Sequence, residues 1–278
     1  MTLWVTGSSG FIGSHLCKRF PKRNMLRIPH ETLKSIPKIK ELAESHPPTA
    51  IYHFAAYGNM AHQQDVFQMM ESNVIYLFNL LWATKDIDYK TFINCSTSSV
   101  YGDKKHAMHE TNSLDGTDPY SITKQIGELL VRAFVNKYDK PIVNIRPFSV
   151  YGEGEADYRF IPTIMRCIKK NEPMKLAPGM HDWIFAEDCV DAILAIQDNI
   201  KDVKGLAVNI GTGQQYDNYD IVKHLCMLSG RDINSLPIEH IRSLRSKDSW
   251  VADNSLLFRL GWQQKHGLID GLKKVWEQ

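Results

Sequence analysis

No stretch of this chain is apolar for long enough to cross a bilayer. Its longest apolar runs, Ile75–Phe78 and Leu80–Ala83, are short and interrupted, whereas a spanning helix needs about 20 such residues. Net charge is also small, +2 over 278 residues. Lysines and arginines are scattered, which leaves no basic stripe for nucleic acid. The five cysteines (Cys17, Cys95, Cys167, Cys189, Cys226) are odd in number, far apart and form no Cys-x-x-Cys pair. That spacing argues against a disulfide framework, and no His/Cys/carboxylate cluster has the spacing of metal ligands, so no metal is expected. Cys17, Cys95 and Cys189 lie in apolar runs and read as buried free thiols in a reducing compartment. The first strand begins at residue 2, which leaves no room for a secretory leader. A cytoplasmic protein with no membrane or nucleic-acid partner is expected. Internal repeats, low-complexity segments and long linkers are absent too.

What is present is ordinary in amount and specific in placement. At 43% hydrophobic and 23% charged residues, the chain can form one large α/β domain, or a domain with a smaller cap. The apolar run Thr2–Thr6 leads directly into Gly7, Gly10 and Gly13, then into Ser14–Phe20 with helical spacing. A strand that stops at glycine and restarts as a helix points unpaired N–H groups and a helix N-terminus at one place, which suits a pyrophosphate. Gly7 permits the turn, Gly10 the approach of the phosphates, and Gly13 close packing of helix on sheet.

Further strands are expected at Asn24–Ile28, Ala50–Ala56, Thr91–Cys95, Ile142–Ile145 and Leu206–Ile210. Helical periodicity covers 31–46 (with Pro37), 64–84, 120–138, Phe160–Lys170, Glu187–Asp198, Tyr219–Leu228 and Gly267–Trp276. The alternation implies right-handed crossovers and a mainly parallel sheet, with ligands gathered at the carboxyl ends of the strands. One βα unit is missing between the second strand and Ala50, so the sheet lacks a strand there or carries a degenerate one. The expected fold is a Rossmann-type doubly wound parallel sheet over 1–150, with a return segment at about 182–213. Residues 151–181 and 214–278 form a smaller mixed α/β substrate cap.

Tyr120-Ser-Ile-Thr-Lys124 carries the chemistry. Four residues apart on a helix, the two side chains share a face. An ammonium beside a phenol favours the phenolate, and bringing its pKa from 10 to near 7 takes about 4 kcal/mol. Thr97, in the hydroxyl-rich Ser96–Ser99 strand end, is positioned to bind the substrate oxygen that Tyr120 protonates, while a cofactor carries the hydride.

With these residues in place the chain resembles an extended short-chain dehydrogenase/reductase of the nucleotide-sugar epimerase, dehydratase and reductase group. The shared motifs are Thr6–His15, His53–Ala56, Asn73-Val74, Ser96–Gly102, Tyr120xxxLys124, Arg146–Gly152, Asp182–Phe185, Arg245–Asp248, Ala252-Asp253 and Leu260–Trp262. The resemblance implies a catalytic Thr97, Tyr120 and Lys124. It implies a dinucleotide held by Gly7, Ser9, Gly10, Phe11, Ile12, Gly13, Ala55, Ala56, Lys124 and Pro147, with Asn73 bracing the cofactor-side strand. Substrate contacts would fall to Ser98, Ser149, His181 and Arg245, the last on a diphosphate. A homodimer through two helices flanking the sheet is usual in the group.

Three departures sharpen the expectation. Where 4,6-dehydratases carry Asp-Glu after the threonine, this chain has Ser98 and Ser99, which cannot supply a general acid, so dehydration is not expected. The second strand ends Arg27-Ile-Pro-His30 without the carboxylate that takes a ribose 2′-hydroxyl, which favours NADP(H) over NAD(H), with Arg27 as first candidate contact. His181 stands where an arginine is common; it would bind a diphosphate more weakly, or not touch the ligand. His106 and His109 are surface loop residues. Reduction of a 4-keto-6-deoxy nucleotide sugar is the favoured reaction. Epimerisation at C4 is the alternative, and a non-catalytic dinucleotide sensor, which would typically have lost Tyr120 or Lys124, is third.

Overall fold

The computed structural model of the chain describes residues 2–242 and 249–277. Five consecutive strands, β1 (Leu3–Thr6), β2 (Met25–Ile28), β3 (Ala50–His53), β4 (Thr91–Cys95) and β5 (Ile142–Pro147), join a sixth, Ala207–Ile210, in one sheet. Every pairing in it is parallel. From the Ala207–Ile210 edge the order runs through β5, β4, β3 and β1 to β2. The chain winds from β1 out to β2, then returns and winds the other way from β3. The switch between β1 and β3 opens a crevice at their carboxyl ends. The strand missed in the sequence would lie beyond β2, which is instead the sheet's edge.

β1 is buried along its whole length, as a strand covered on both faces must be. One face packs on α1 (Phe11–Lys18) and the Ala186–Asp198 helix. The other packs on the helices Ile36–Ser45, Tyr76–Thr84 and Pro119–Tyr138. Pro37 does not sit inside one helix over 31–46. The segment splits into His30–Leu33 and Ile36–Ser45, Ser35 caps the second, and Pro37 falls in its first turn, where a missing N–H costs nothing. The helix expected over 64–84 is continuous but widens into a π-turn at Glu71–Ile75, around Asn73.

Beyond Pro147, the short strands Ser149–Tyr151 and Trp183–Phe185 pair in parallel. A separate core collects Tyr151, Trp183 and Phe185 from these strands and Ile161, Leu225 and Leu272 from the later helices. Asp182, fully buried, fastens this region to the sheet. It accepts from Thr212 N–H and hydroxyl, Gly213 N–H and Ala252 N–H at 2.7–3.1 Å. Among the described residues, no helix is long and apolar enough to cross a membrane.

Candidate active site

The glycine turn closes on itself. Gly7 has φ +64°, and a Cβ there would lie 2.6 Å from the Ala55 nitrogen; at Gly13 it would lie 2.3 Å from the Gly7 carbonyl oxygen. Gly10 N–H donates to that same oxygen at 3.0 Å. α1 starts from Gly10 with no side-chain cap, so its first N–H groups are left for a ligand at the β1/β3 crevice. This cradle fits the pyrophosphate of a dinucleotide. Thr6 staples its two sides: its hydroxyl accepts from Ala55 N–H at 3.2 Å and shares a hydrogen bond with His53 Nδ1 at 2.8 Å. His53 is buried and neutral there. Burial, with the charges of Lys124 and His30, holds its pKa down at about 3.

A cavity of about 330 Å³ runs from this turn across the ends of β4 and β5. Thr97, Tyr120 and Lys124 all line it. Thr97 caps the short turn Ser98–Tyr101, accepting from Ser99 N–H, and its side chain hydrogen-bonds Tyr120. Tyr120 lies in the first turn of the Pro119–Tyr138 helix, which Asp118 caps at Ser121 N–H. One turn on, buried Lys124 donates from Nζ to the Cys95 carbonyl at 2.8 Å. Burial lowers the Lys124 pKa, while Cys95 and Glu128 oppose the shift. Burial, with Cys95 and Asp118 adding to it, pushes the Tyr120 pKa up, and the Thr97 bond and the Arg159 guanidinium offset this only in part. The phenol here is the protonated, donor form.

Two braces hold these parts. Asn73, in the π-turn, accepts from Tyr57 N–H (2.9 Å) and donates to the Tyr57 carbonyl (2.8 Å) and Thr123 hydroxyl (2.9 Å). It thereby ties the loop after β3 to the tyrosine helix. Glu128, one turn past Lys124, forms a buried bidentate pair with Arg146 at 2.9 and 2.6 Å and also accepts from Ser96. Arg146 further donates to the Tyr101 hydroxyl and the Glu110 carbonyl. Glu128 thus joins the ends of β4 and β5 to the helix carrying Tyr120 and Lys124.

Of the other residues expected at the site, Gly7, Gly10, Phe11, Ile12, Gly13, Ala56, Pro147, Ser98, Ser149 and His181 line the same cavity. Ser149 and His181 meet there, Oγ to Nδ1 at 3.2 Å. Ala55 does not line it; it is buried behind Gly7. Ser9 and Arg27 are not in its wall either. Both are exposed, and the Arg27 charge acts on the Cys17 thiol of α1 instead. Arg245 lies outside the described residues. Cys95, expected to be buried, is half-buried and lines the cavity, with burial raising its thiol pKa. Sequence reasoning missed Trp250, which donates to Ser98 at 3.2 Å, and the pair Glu155 and Arg159, both in the cavity wall. Glu155 and Arg159, four apart in a glycine-punctuated polar loop, resemble any solvated i,i+4 pair; nothing local marks the Glu155 side chain as buried.

The sequence model of the NAD dependent epimerase/dehydratase family matches residues 3–211. Among curated proteins, the Bacillus subtilis "uncharacterized UDP-glucose epimerase YtcB" is 29% identical, with 83% of each chain covered. CDP-abequose synthase of Salmonella typhimurium is 27% identical over 98% of this chain and 96% of its own. An Arabidopsis thaliana trifunctional UDP-glucose 4,6-dehydratase/3,5-epimerase/reductase is 29% identical over 81% of this chain, which spans only 35% of that protein. Among solved structures, UDP-glucuronic acid 4-epimerase from Bacillus cereus, in complex with UDP-glucuronic acid and NAD, superposes with a TM-score of 0.88. It is 27% identical and covers 100% of this chain and 98% of its own.

Proposed function

The chain belongs to the NAD dependent epimerase/dehydratase family, and from that premise we propose that it reduces a nucleotide-linked 4-ketosugar. The observation that carries this reading is the placement of Tyr120, hydrogen-bonded to Thr97, with Lys124 in one cavity beside the glycine turn. A bound nicotinamide dinucleotide supplies the hydride. Thr97 and Tyr120 bind the ketone oxygen, and Tyr120 delivers a proton to it as negative charge develops. Lys124, held by the Cys95 carbonyl, would hold the dinucleotide ribose and steady the tyrosinate that proton transfer leaves. Ser98 and Ser99 offer no carboxylic acid for water loss, so dehydration is not part of this reading.

Epimerisation at C4 is the second reading, favoured by the full-length similarity to a UDP-glucuronic acid 4-epimerase. Incubation with NADPH and a panel of nucleotide 4-keto-6-deoxysugars separates the two. Stoichiometric loss of nicotinamide absorbance supports reduction, whereas sugar isomerisation without it overturns that assignment. NADP(H) remains the preferred cofactor on one ground, the missing carboxylate at the end of β2; the B. cereus relative holds NAD. NADH binding tenfold tighter than NADPH would reverse the preference. In this reading 151–181 and 214–278 serve as substrate cap, with Ser149 and His181 on the nucleotide sugar. A homodimer is supported by exposed Phe67, Met70, Ile122 and Leu129 on the two adjoining helical segments.

A further inference from the structure

Glu155 is a buried acid with an unfinished set of partners. Its side chain is 5% exposed, yet its contact with Arg159 is a single one, Nε to Oε1 at 3.5 Å. Its other oxygen, Oε2, is buried with no hydrogen-bond partner. Arg159 is different: its side chain is 39% exposed, it lines the active-site cavity, and its charge reaches Tyr120. Both residues line the cavity, but the guanidinium is the more exposed of the two and carries the charge that an anionic ligand engages.

We propose that Glu155 and Arg159 form an exchangeable pair, in which an anionic oxygen of the substrate replaces Glu155 on Arg159 and the abandoned Glu155 carboxylate takes up a proton from solvent. This rests on the nucleotide-sugar reading above and adds to it. The balance is simple: one proton is bound per ligand, and no covalent bond to carbon changes. A buried carboxylate stripped of its cation and lacking hydrogen bonds is the costlier species, so protonation follows. Burial already raises the Glu155 pKa to about 7, with Arg159 holding it from going further.

Other charges around Glu155 are engaged elsewhere or belong to the site itself. On its own loop Glu153 pairs with Lys18, while Asp157 is exposed. From the Phe160–Lys170 helix, Arg166 and Lys170 pair with Glu172, and Lys169 lies over Trp276. His15 of α1 bonds the Glu153 carbonyl. Tyr120, Lys124 and His181 share the cavity, and His181 is the one whose own protonation has to be separated from that of Glu155.

Calorimetric titration of the cofactor-loaded protein, in buffers of different ionisation enthalpy, measures the uptake. UDP-glucose and UDP-glucuronic acid are the probes, since neither has a phosphate that titrates near neutrality. Expected uptake approaches one proton at pH 8 and vanishes at pH 5.5, with affinity falling up to about tenfold per pH unit above 7. Uptake with both probes identifies the diphosphate as the partner of Arg159; uptake with the uronate alone identifies the sugar carboxylate. Glu155→Gln mimics the protonated acid, so it loses this uptake and binds more tightly than wild type at pH 8, a gain that structural damage would not produce. If that variant does not fold, the wild-type uptake profile with Arg159→Met as control still decides. Binding with no uptake at pH 8, or uptake unchanged in Glu155→Gln, overturns the exchange alone. Absence of binding by either probe at any pH, together with no turnover of any member of the 4-ketosugar panel, overturns the nucleotide-sugar reading and this inference with it.

Discussion

Removing one half of the Glu128–Arg146 pair tests how the site is held. In Arg146→Met, the Glu128 carboxylate loses its contacts at 2.9 and 2.6 Å but stays buried, with Ser96 as its remaining hydrogen-bond partner. The Tyr101 hydroxyl and Glu110 carbonyl lose a donor as well. Stranding one member of a buried pair costs about 3–5 kcal/mol, whereas replacing both with apolar residues is often close to neutral. At about 2.1 cal/mol/K per residue, a chain of this length has an unfolding entropy of roughly 0.6 kcal/mol/K, so the loss lowers Tm by about 5–9 °C. Thermal unfolding of wild type, Arg146→Met, Glu128→Met and the double variant, followed by circular dichroism at pH 7, forms the cycle. Each single variant should drop by that amount, and the double should lie well above the sum, with a coupling of at least about 2 kcal/mol. Single variants within about 1 kcal/mol of wild type, or effects that add to within about 0.5 kcal/mol, would show that the pair is not the brace described here.

Three further outcomes follow from the same geometry. Gly13→Ala puts a methyl 2.3 Å from the Gly7 carbonyl, so nicotinamide dinucleotide affinity should fall at least a hundredfold, about 3 kcal/mol; fluorescence titration retaining wild-type affinity would show that the turn is not the cradle. Asn73→Ala removes three hydrogen bonds and should cost about 2–3 kcal/mol in urea unfolding, with faster amide exchange at Tyr57, which unchanged exchange would contradict. His53 has a folded pKa of about 3, below its unfolded value of about 6.5. The unfolded state therefore binds the extra proton between those values, and stability is lost as pH falls below 6.5, by roughly 2 kcal/mol at pH 5. Glu155 acts in the opposite sense, since its raised pKa favours the folded state on acidification. The measurement is thus the wild-type minus His53→Asn difference in unfolding free energy from pH 7 to 5, and a flat difference refutes the His53 assignment.

Sequence alone reached the chemistry wherever the constraint is local. Gly7 needs glycine for its left-handed backbone and Gly13 for its closeness to the Gly7 carbonyl, both within one turn, and Tyr120 and Lys124 share a face because helices repeat every 3.6 residues. Strand–helix alternation likewise implied the parallel sheet, and the short run between β2 and Ala50 foretold a sheet edge without its outer strand. Pairing across the fold was not legible. Arg146 could be read as part of a motif, but nothing in the chain says that Glu128, 18 residues earlier, neutralises it. Burial was not legible either. It raises the Tyr120 pKa, an effect that its spacing to Lys124 does not reveal. It also turns Glu155 from an ordinary loop glutamate into an enclosed acid beside the cavity. The order of residues fixes backbone geometry and periodicity, whereas the state of an ionisable group depends on solvent exclusion and on neighbours far away in the chain, and these exist only once the elements have packed.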